Sequence, residues 1–134
     1  MKENIVEVSF TKRNFSAHLP DLPGCVTTAA TPEGIMENIK QAVDFHLQGL
    51  KEDGERVPAS FKGSYRLSYK FDVKSLLNYY QGIFTKAAME RITGINQRQL
   101  SHYASGLKVP RKLQRDKIKA GLRKLGEELS WIEL

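Results

Sequence analysis

Cysteine is almost absent from this chain of 134 residues, and no long hydrophobic run is present. The single cysteine, Cys25, cannot form an internal disulfide, and without a nearby Cys or His cluster it does not indicate a metal site. No stretch approaches the roughly 20 apolar residues that a membrane-spanning helix needs, and the opening MKENI lacks the apolar core of a signal peptide. These absences predict a cytoplasmic protein with no membrane span, no structural disulfide, no metal and no cofactor.

Charge is distributed unevenly along the chain. Apolar residues make up 40% and charged residues 27%, which is typical of a globular protein, and the formal net charge is +6. Residues 1–72 contain 9 Lys/Arg and 10 Asp/Glu, whereas residues 73–134 contain 12 and 5, so the second part alone carries +7. Clustered cations displace condensed counterions from a phosphate backbone, so this asymmetry indicates contact with nucleic acid. A lysine-rich helical face that is merely solvated is the alternative.

Residues 1–72 have the pattern of a sheet with one helix. Apolar residues alternate on both sides of a polar turn at 11–14, which predicts a hairpin, and a third strand is expected at 25–30. Thr31 as N-cap and Pro32 at the first helical position then begin a helix that ends near Gly54. The apolar residues at helical spacing in it are Met36, Ile39, Val43, Leu47 and Leu50. Alternation over 65–71 adds a fourth strand, so we predict the order βββαβ.

The hydrophobic period changes from 2 to 3.6 between residues 71 and 75, and the rest of the chain is predicted to be helical. We therefore expect an α+β protein with one domain at 1–72 and a second, all-α domain at 73–134. The last helix is predicted at 112–128, with Leu113, Ile118, Leu122, Leu125 and Leu129 facing inward. The closing residues 130–134 are apolar enough for a short strand or a dimer contact, although packing in the core is the favoured interpretation.

Residues 84–106 are typical of a helix-turn-helix. Gly94 can adopt the left-handed conformation that ends the first helix, and Ile95 fills the corner. Asn96 begins the second helix as its cap, and Gln99 is placed to return a hydrogen bond as in a capping box. The apolar residues predicted to face inward are Ala88, Met89, Ile92, Leu100 and Tyr103.

The exposed start of the second helix is the part that a recognition helix presents to base edges. The predicted base-reading residues are Gln97, Arg98, Gln99, Ser101 and His102. Arg pairs with guanine and Gln with adenine in the major groove, so these types suit the role. The predicted phosphate contacts on either side are Thr85, Lys86, Lys108, Arg111 and Lys112. An ordinary helical hairpin with solvated polar residues is the alternative, and Glu90 stands where this motif commonly has a small residue.

Two segments resemble one known family. LPDLPGCVT at 19–27, followed by Thr31, Asp53-Gly54-Glu55 and Pro58, resembles the N-terminal domain of HicB antitoxins. TGINQRQLSHYASG at 93–106, followed by Pro110-Arg111, resembles the helix-turn-helix half of the same family. Together the two segments extend the resemblance over nearly the whole chain.

The resemblance implies an antitoxin that binds and inhibits a HicA-type mRNA-cleaving toxin and represses the operon encoding both. It implies a partial ribonuclease-H-like fold for the first domain, with toxin contact at the early strands and at Asp21, Leu22, Pro23 and Gly24. The partners expected are the toxin, double-stranded operator DNA and a further copy of the chain, in a homodimer or higher homo-oligomer.

A nuclease and a stand-alone regulator are the alternative functions. A ribonuclease-H-like fold suggests a metal-dependent nuclease, which needs several converging carboxylates, and the acidic residues of 1–72 are not spaced for that. The three histidines are far apart in sequence and have no metal-like companions, so we expect no enzymatic activity. The remaining alternative is a stand-alone helix-turn-helix regulator whose first domain senses a small molecule or another protein.

Overall fold

In the computed structural model, which describes residues 1–134, the chain divides into one unit at Met1–Asp72 and another at Val73–Leu134. The first unit contains four strands, one long helix and a short 3-10 turn at Ala59–Phe61. The strands and helix are β1 (Lys2–Thr11), β2 (Asn14–His18), β3 (Val26–Ala29), α1 (Pro32–Glu52) and β4 (Tyr65–Phe71). The predicted order βββαβ is confirmed.

The four strands form one mixed sheet in the order β3-β2-β1-β4. β1 and β2 are antiparallel and join through a two-residue turn in which Lys12 has φ 59°, while β4 lies parallel to β1 on its other side. Alternate side chains of the central strands point to one face and are buried, among them Val6, Val8, Phe15 and Ala17. α1 covers this apolar face, because the apolar side chains along one side of the helix are buried when they pack against it.

α1 begins as the sequence predicts, because the Thr31 side chain accepts a hydrogen bond from the Gly34 amide at 3.0 Å. Its buried stripe is Ile35, Ile39, Val43 and Leu47. The helical spacing grouped Met36 with these residues, but Met36 lies outside the buried stripe and is 42% exposed. The stripe repeats at every fourth residue from Ile35, so Met36 lies about 100° around the helix from that line.

The second unit is helical throughout. Its helices are α2 (Val73–Tyr79), α3 (Lys86–Thr93), α4 (Gln97–Ser105) and α5 (Lys112–Ser130), with a 3-10 turn at Tyr80–Gly82. Its separate core consists of Leu77, Met89, Ile95, Leu100, Tyr103 and Ile118. An α+β protein with a mixed four-stranded sheet is therefore confirmed. No helix of either unit combines the length and the apolar character needed to cross a membrane.

The two ends of α5 depart from prediction. Ile118 is buried and Leu122 packs on the core, but Leu113 is 69% and Leu129 is 58% exposed. α3 packs against the part of α5 around Gly121, so the apolar residues near the two ends of the long helix have no neighbouring element to cover them. The expected core packing of residues 130–134 was also wrong, because they form no strand and all are exposed.

Candidate functional site

α3, α4 and the turn between them form the most regular feature of the second unit. α3 begins at Thr85, whose side chain accepts from the Ala88 amide at 3.0 Å, and it ends at Gly94 with φ 76°. Within the turn the buried Thr93 hydroxyl donates to the Met89 carbonyl at 2.7 Å. The same hydroxyl accepts from the Ile95 amide at 3.2 Å, so a local hydrogen bond helps to hold the turn between α3 and α4.

The first turn of α4 is capped by two side chains. Asn96 Oδ1 accepts from the Gln99 amide at 2.8 Å, as the sequence predicts. Glu90 Oε1 reaches across the turn and accepts from the Gln97 amide at 3.1 Å. The unusual Glu90 therefore serves as a second cap, and its negative carboxylate interacts favourably with the positive end of the α4 dipole.

The predicted capping box is incomplete. Instead of returning a bond to Asn96, the Gln99 side-chain amide donates to the Tyr103 hydroxyl one turn further along at 2.8 Å. Tyr103 is buried with the core, so this bond holds the Gln99 side chain against the unit. The capping box was wrong because the bond to Tyr103 directs the Gln99 side chain along the helix, so its Oε1 acceptor does not turn back to the Asn96 amide.

The structure brings three of the five predicted base-reading residues to the open surface of α4. Gln97, Arg98 and Ser101 are exposed near its start, whereas Gln99 and His102 are only half-exposed. Arg98, Ser101 and His102 follow one another at helical spacing and so share one side of α4. Nδ1 of His102 is buried and has no hydrogen-bond partner. The fully exposed group is therefore Gln97, Arg98 and Ser101.

The predicted phosphate contacts lie at two places in the second unit. Thr85 and Lys86 stand at the start of α3, and Lys108, Arg111 and Lys112 stand between α4 and the first turn of α5. Lys112 is already paired with Asp116 at 2.9 Å, and this hydrogen bond lowers the pKa of the Asp116 carboxyl. Lys108 and Arg111 are exposed and form no ion pair within 4 Å. Both follow the end of α4 in the chain, where the Lys74 ammonium also lies close to Gly106.

Two residues that stabilise the second unit, Asn78 and Thr93, were not predicted from the sequence pattern. Asn78 on α2 donates to the Ala104 carbonyl of α4 at 2.9 Å and to the Lys74 carbonyl at 2.8 Å, so it ties the two helices together. Thr93 carries the hydrogen bond of the turn described above. The partners of Asn78 lie 4 and 26 residues away, and no local pattern signals the second one.

The loop predicted to contact a toxin lies between β2 and β3 of the first unit. Asp21, Pro23 and Gly24 are exposed, and Gly24 has φ 87°. Leu22 is 1% exposed and belongs to the core, while its carbonyl accepts from the Cys25 amide at 3.1 Å. Three of the four residues are thus at the surface, and the buried Leu22 side chain anchors the loop to the core.

The His, Cys, Asp and Glu side chains form no cluster that resembles a metal site. No group of three or more His, Cys, Asp or Glu residues is placed to hold a metal ion. His18 contacts Glu7 at 3.3 Å on the exposed face of the sheet. Burial raises the pKa of the Cys25 thiol, so this residue is less ionised at neutral pH than a free cysteine.

Comparison with known proteins adds information on the first unit. Residues 5–70 match the model of the HicB-like antitoxin of bacterial toxin-antitoxin systems. The chain is 43% identical over 42 residues to a 14.9 kDa protein from the rep-hol intergenic region of Haemophilus phage HP1, a match covering 31% of this chain and 32% of the phage protein. It is 29% identical over 58 residues to a UPF0150 protein of Thermoplasma acidophilum, covering 43% of this chain and 84% of that protein. The family match spans nearly all of the sheet and helix of the first unit, so residues 5–70 form a HicB-like antitoxin domain.

Proposed function

We propose that this protein is an antitoxin that binds and neutralises a HicA-type mRNA-cleaving toxin and represses its own operon by binding operator DNA. Residues 1–72 would contact the toxin, and residues 73–134 would bind the operator through a helix-turn-helix. The observation that carries the proposal is the HicB-like antitoxin domain at residues 5–70, joined in one chain to a basic helical unit. The proposed activity is binding rather than catalysis.

The toxin-binding half of the proposal follows from the family. In this proposal the sheet and α1 correspond to the partial ribonuclease-H-like fold that the family resemblance implies. Asp21, Pro23 and Gly24 offer an exposed loop beside β2 and β3. Leu22 is assigned a supporting role, because a buried side chain cannot reach a partner while the domain is folded.

The DNA-binding half rests on the shape and charge of the second unit. α4 is a short, doubly capped helix whose first turns expose Gln97, Arg98 and Ser101. Lys108 and Arg111 flank it without ion-pair partners, and residues 73–134 carry +7 overall. A helix presented in this way suits the major groove, while the flanking cations suit the phosphates. Two copies on DNA would read half-sites about 10 base pairs apart, or a multiple of that distance.

The proposal is tested by expressing the chain with the product of the reading frame beside its gene. Expression of the neighbouring product alone should arrest growth, co-expression should restore it, and the two proteins should purify together. The Arg98→Ala variant is the matched control, because it alters only the second unit and should neutralise the toxin as well as the parent chain does.

A different result would favour a stand-alone regulator. If the neighbouring product is harmless or fails to bind, while the chain still binds its own promoter, the antitoxin role is wrong and the DNA-binding role survives. If the chain neutralises the toxin but binds its promoter no better than random DNA, only the repressor role is wrong.

A further inference from the structure

The closing segment of the chain, residues 129–134, exposes apolar side chains that neither the fold nor the proposed function uses. Leu129 and Ile132 are each 58% exposed, and Trp131, the chain's only tryptophan, is 74% exposed. Single exposed apolar residues are ordinary, but a contiguous group with a tryptophan is typical of an interaction surface. A partner surface for it should be apolar in its floor and able to accept one acidic residue, because Glu133 lies within the segment.

The second unit contains such a surface in the groove between α3 and α5, which has a volume of about 620 Å³. Phe84, Ala88, Ile92 and Leu125 supply its apolar lining. Gly121 lets the two helices approach closely, since a Cβ there would lie 2.3 Å from the Ile92 carbonyl oxygen. The groove is large enough for an indole together with an aliphatic side chain.

The charged residues of the groove complement the segment. Arg91 and Lys124 line it beside Glu128, and none of the three forms an ion pair within 4 Å. The groove therefore carries a net positive charge that Glu133 would neutralise. Partly desolvated pairs of opposite charge contribute to the specificity and register of an interface.

Backbone hydrogen bonds attach the start of the segment to the end of α5. The Trp131 amide donates to the Glu128 carbonyl at 3.2 Å, and the Ile132 amide donates to the Leu129 carbonyl at 3.3 Å, so the chain continues the last turn of α5. Residues 121–128 of that same helix form one wall of the groove. Docking within one copy would require these bonds to break and the chain to reverse at once, whereas a second copy can present its segment without rearrangement.

We propose that residues 129–134 of one copy dock in the α3–α5 groove of a second copy, and that the exchange is reciprocal. Trp131 and Ile132 occupy the apolar floor, and Glu133 lies against Arg91 and Lys124 of the other copy. A reciprocal contact of this kind is closed by a two-fold axis, so it yields a dimer rather than a filament. The inference rests on the proposed function only in that two copies reading one operator must be held together, and the dimer itself requires no DNA.

The test measures self-association of the full chain without DNA. Because Trp131 is the only tryptophan, its emission should shift to shorter wavelength as the protein is concentrated, in parallel with dimer formation in sedimentation velocity. Trp131→Ala should weaken the dimer by about thirtyfold or more in sedimentation, as expected for a central aromatic contact. Arg91→Glu should weaken it about tenfold, and Arg91→Glu with Glu133→Arg should restore it.

Lys119→Glu is the matched control, because it makes the same change of charge on the side of α5 opposite to the groove and should leave the dimer intact. A chain that stays monomeric at every concentration overturns the inference. So does a dimer that survives both Trp131→Ala and Arg91→Glu, or a Trp131 emission that is already blue-shifted where sedimentation shows only monomer, which indicates docking within one copy. Loss of the dimer with toxin neutralisation intact would count against this inference alone.

Discussion

At the scale of single residues, the bases that α4 would contact in the proposed DNA complex depend on which of its side chains are free to reach them. Gln99 was predicted to read bases, yet its amide is bonded to the Tyr103 hydroxyl at 2.8 Å, so it must break that bond before it can contact DNA. Arg98 is exposed and has no ion-pair partner within 4 Å. We therefore expect Arg98 to contribute more to sequence discrimination than Gln99 does.

Arg98→Ala should weaken binding to the operator by about 1 to 3 kcal/mol and leave binding to random DNA almost unchanged, because a bidentate contact to a guanine is lost. Lys108→Ala should weaken both complexes alike, since a phosphate contact carries no sequence information. Fluorescence anisotropy with the promoter and with a scrambled duplex measures both effects. Equal losses on the two duplexes for Arg98→Ala would remove its role as a base reader.

The loop between β2 and β3 provides a pair of neighbouring residues with opposite burial. Leu22→Ala should lower the free energy of unfolding by about 2 to 5 kcal/mol, because a buried side chain is replaced by a cavity. Asp21→Ala should change the free energy of unfolding by no more than about 0.5 kcal/mol, because the side chain is exposed. If the loop contacts the toxin, the same variant should bind the toxin more weakly. Urea unfolding followed by circular dichroism, together with toxin titration, separates the two roles. Unchanged toxin affinity in Asp21→Ala would move the contact away from this residue.

At the scale of elements, the α3–turn–α4 segment shows how local and tertiary signals combine. The left-handed Gly94 and the Asn96 cap are local features, and both occur as predicted. Glu90 is a conspicuous departure in sequence, but it becomes understandable once its carboxylate is found on the Gln97 amide. That distance is set by the angle between two helices, which the sequence pattern alone does not specify.

Gly121 and Gly126 of α5 allow the effect of close packing to be separated from the effect of helix propensity. Gly126→Ala should stabilise the protein by about 0.5 to 1 kcal/mol, since nothing lies within 4 Å of the added Cβ and alanine is the better helix former. Gly121→Ala should destabilise it by about 1 to 3 kcal/mol, because its Cβ would meet the Ile92 carbonyl at 2.3 Å and separate α3 from α5. Thermal unfolding of both variants tests this, and equal shifts of Tm in the same direction would contradict the packing argument.

At the scale of the whole molecule, the two units differ in charge, −1 against +7, and each has its own core. Operator affinity should therefore fall steeply with salt. If Lys108 and Arg111 of each of two copies contact phosphates, a plot of log Kd against log salt concentration should have a slope of about 3 to 4. Lys108→Ala removes one contact from each copy and should reduce that slope by about 2. A titration over potassium chloride concentration measures both slopes. An affinity that is independent of salt would exclude phosphate contact as the main source of binding.

The sequence by itself determined those features whose cause lies within a few residues. Alternation placed three of the four strands, Thr31 and Asn96 began their helices, and the uneven charge pointed to the second unit, because period, capping and charge are properties of neighbouring residues. Only the tertiary structure decided which apolar residues are covered. Ile35 is buried while Met36 is not, and Leu113 and Leu129 stay exposed, because burial requires a second surface opposite the side chain and that surface comes from distant parts of the chain.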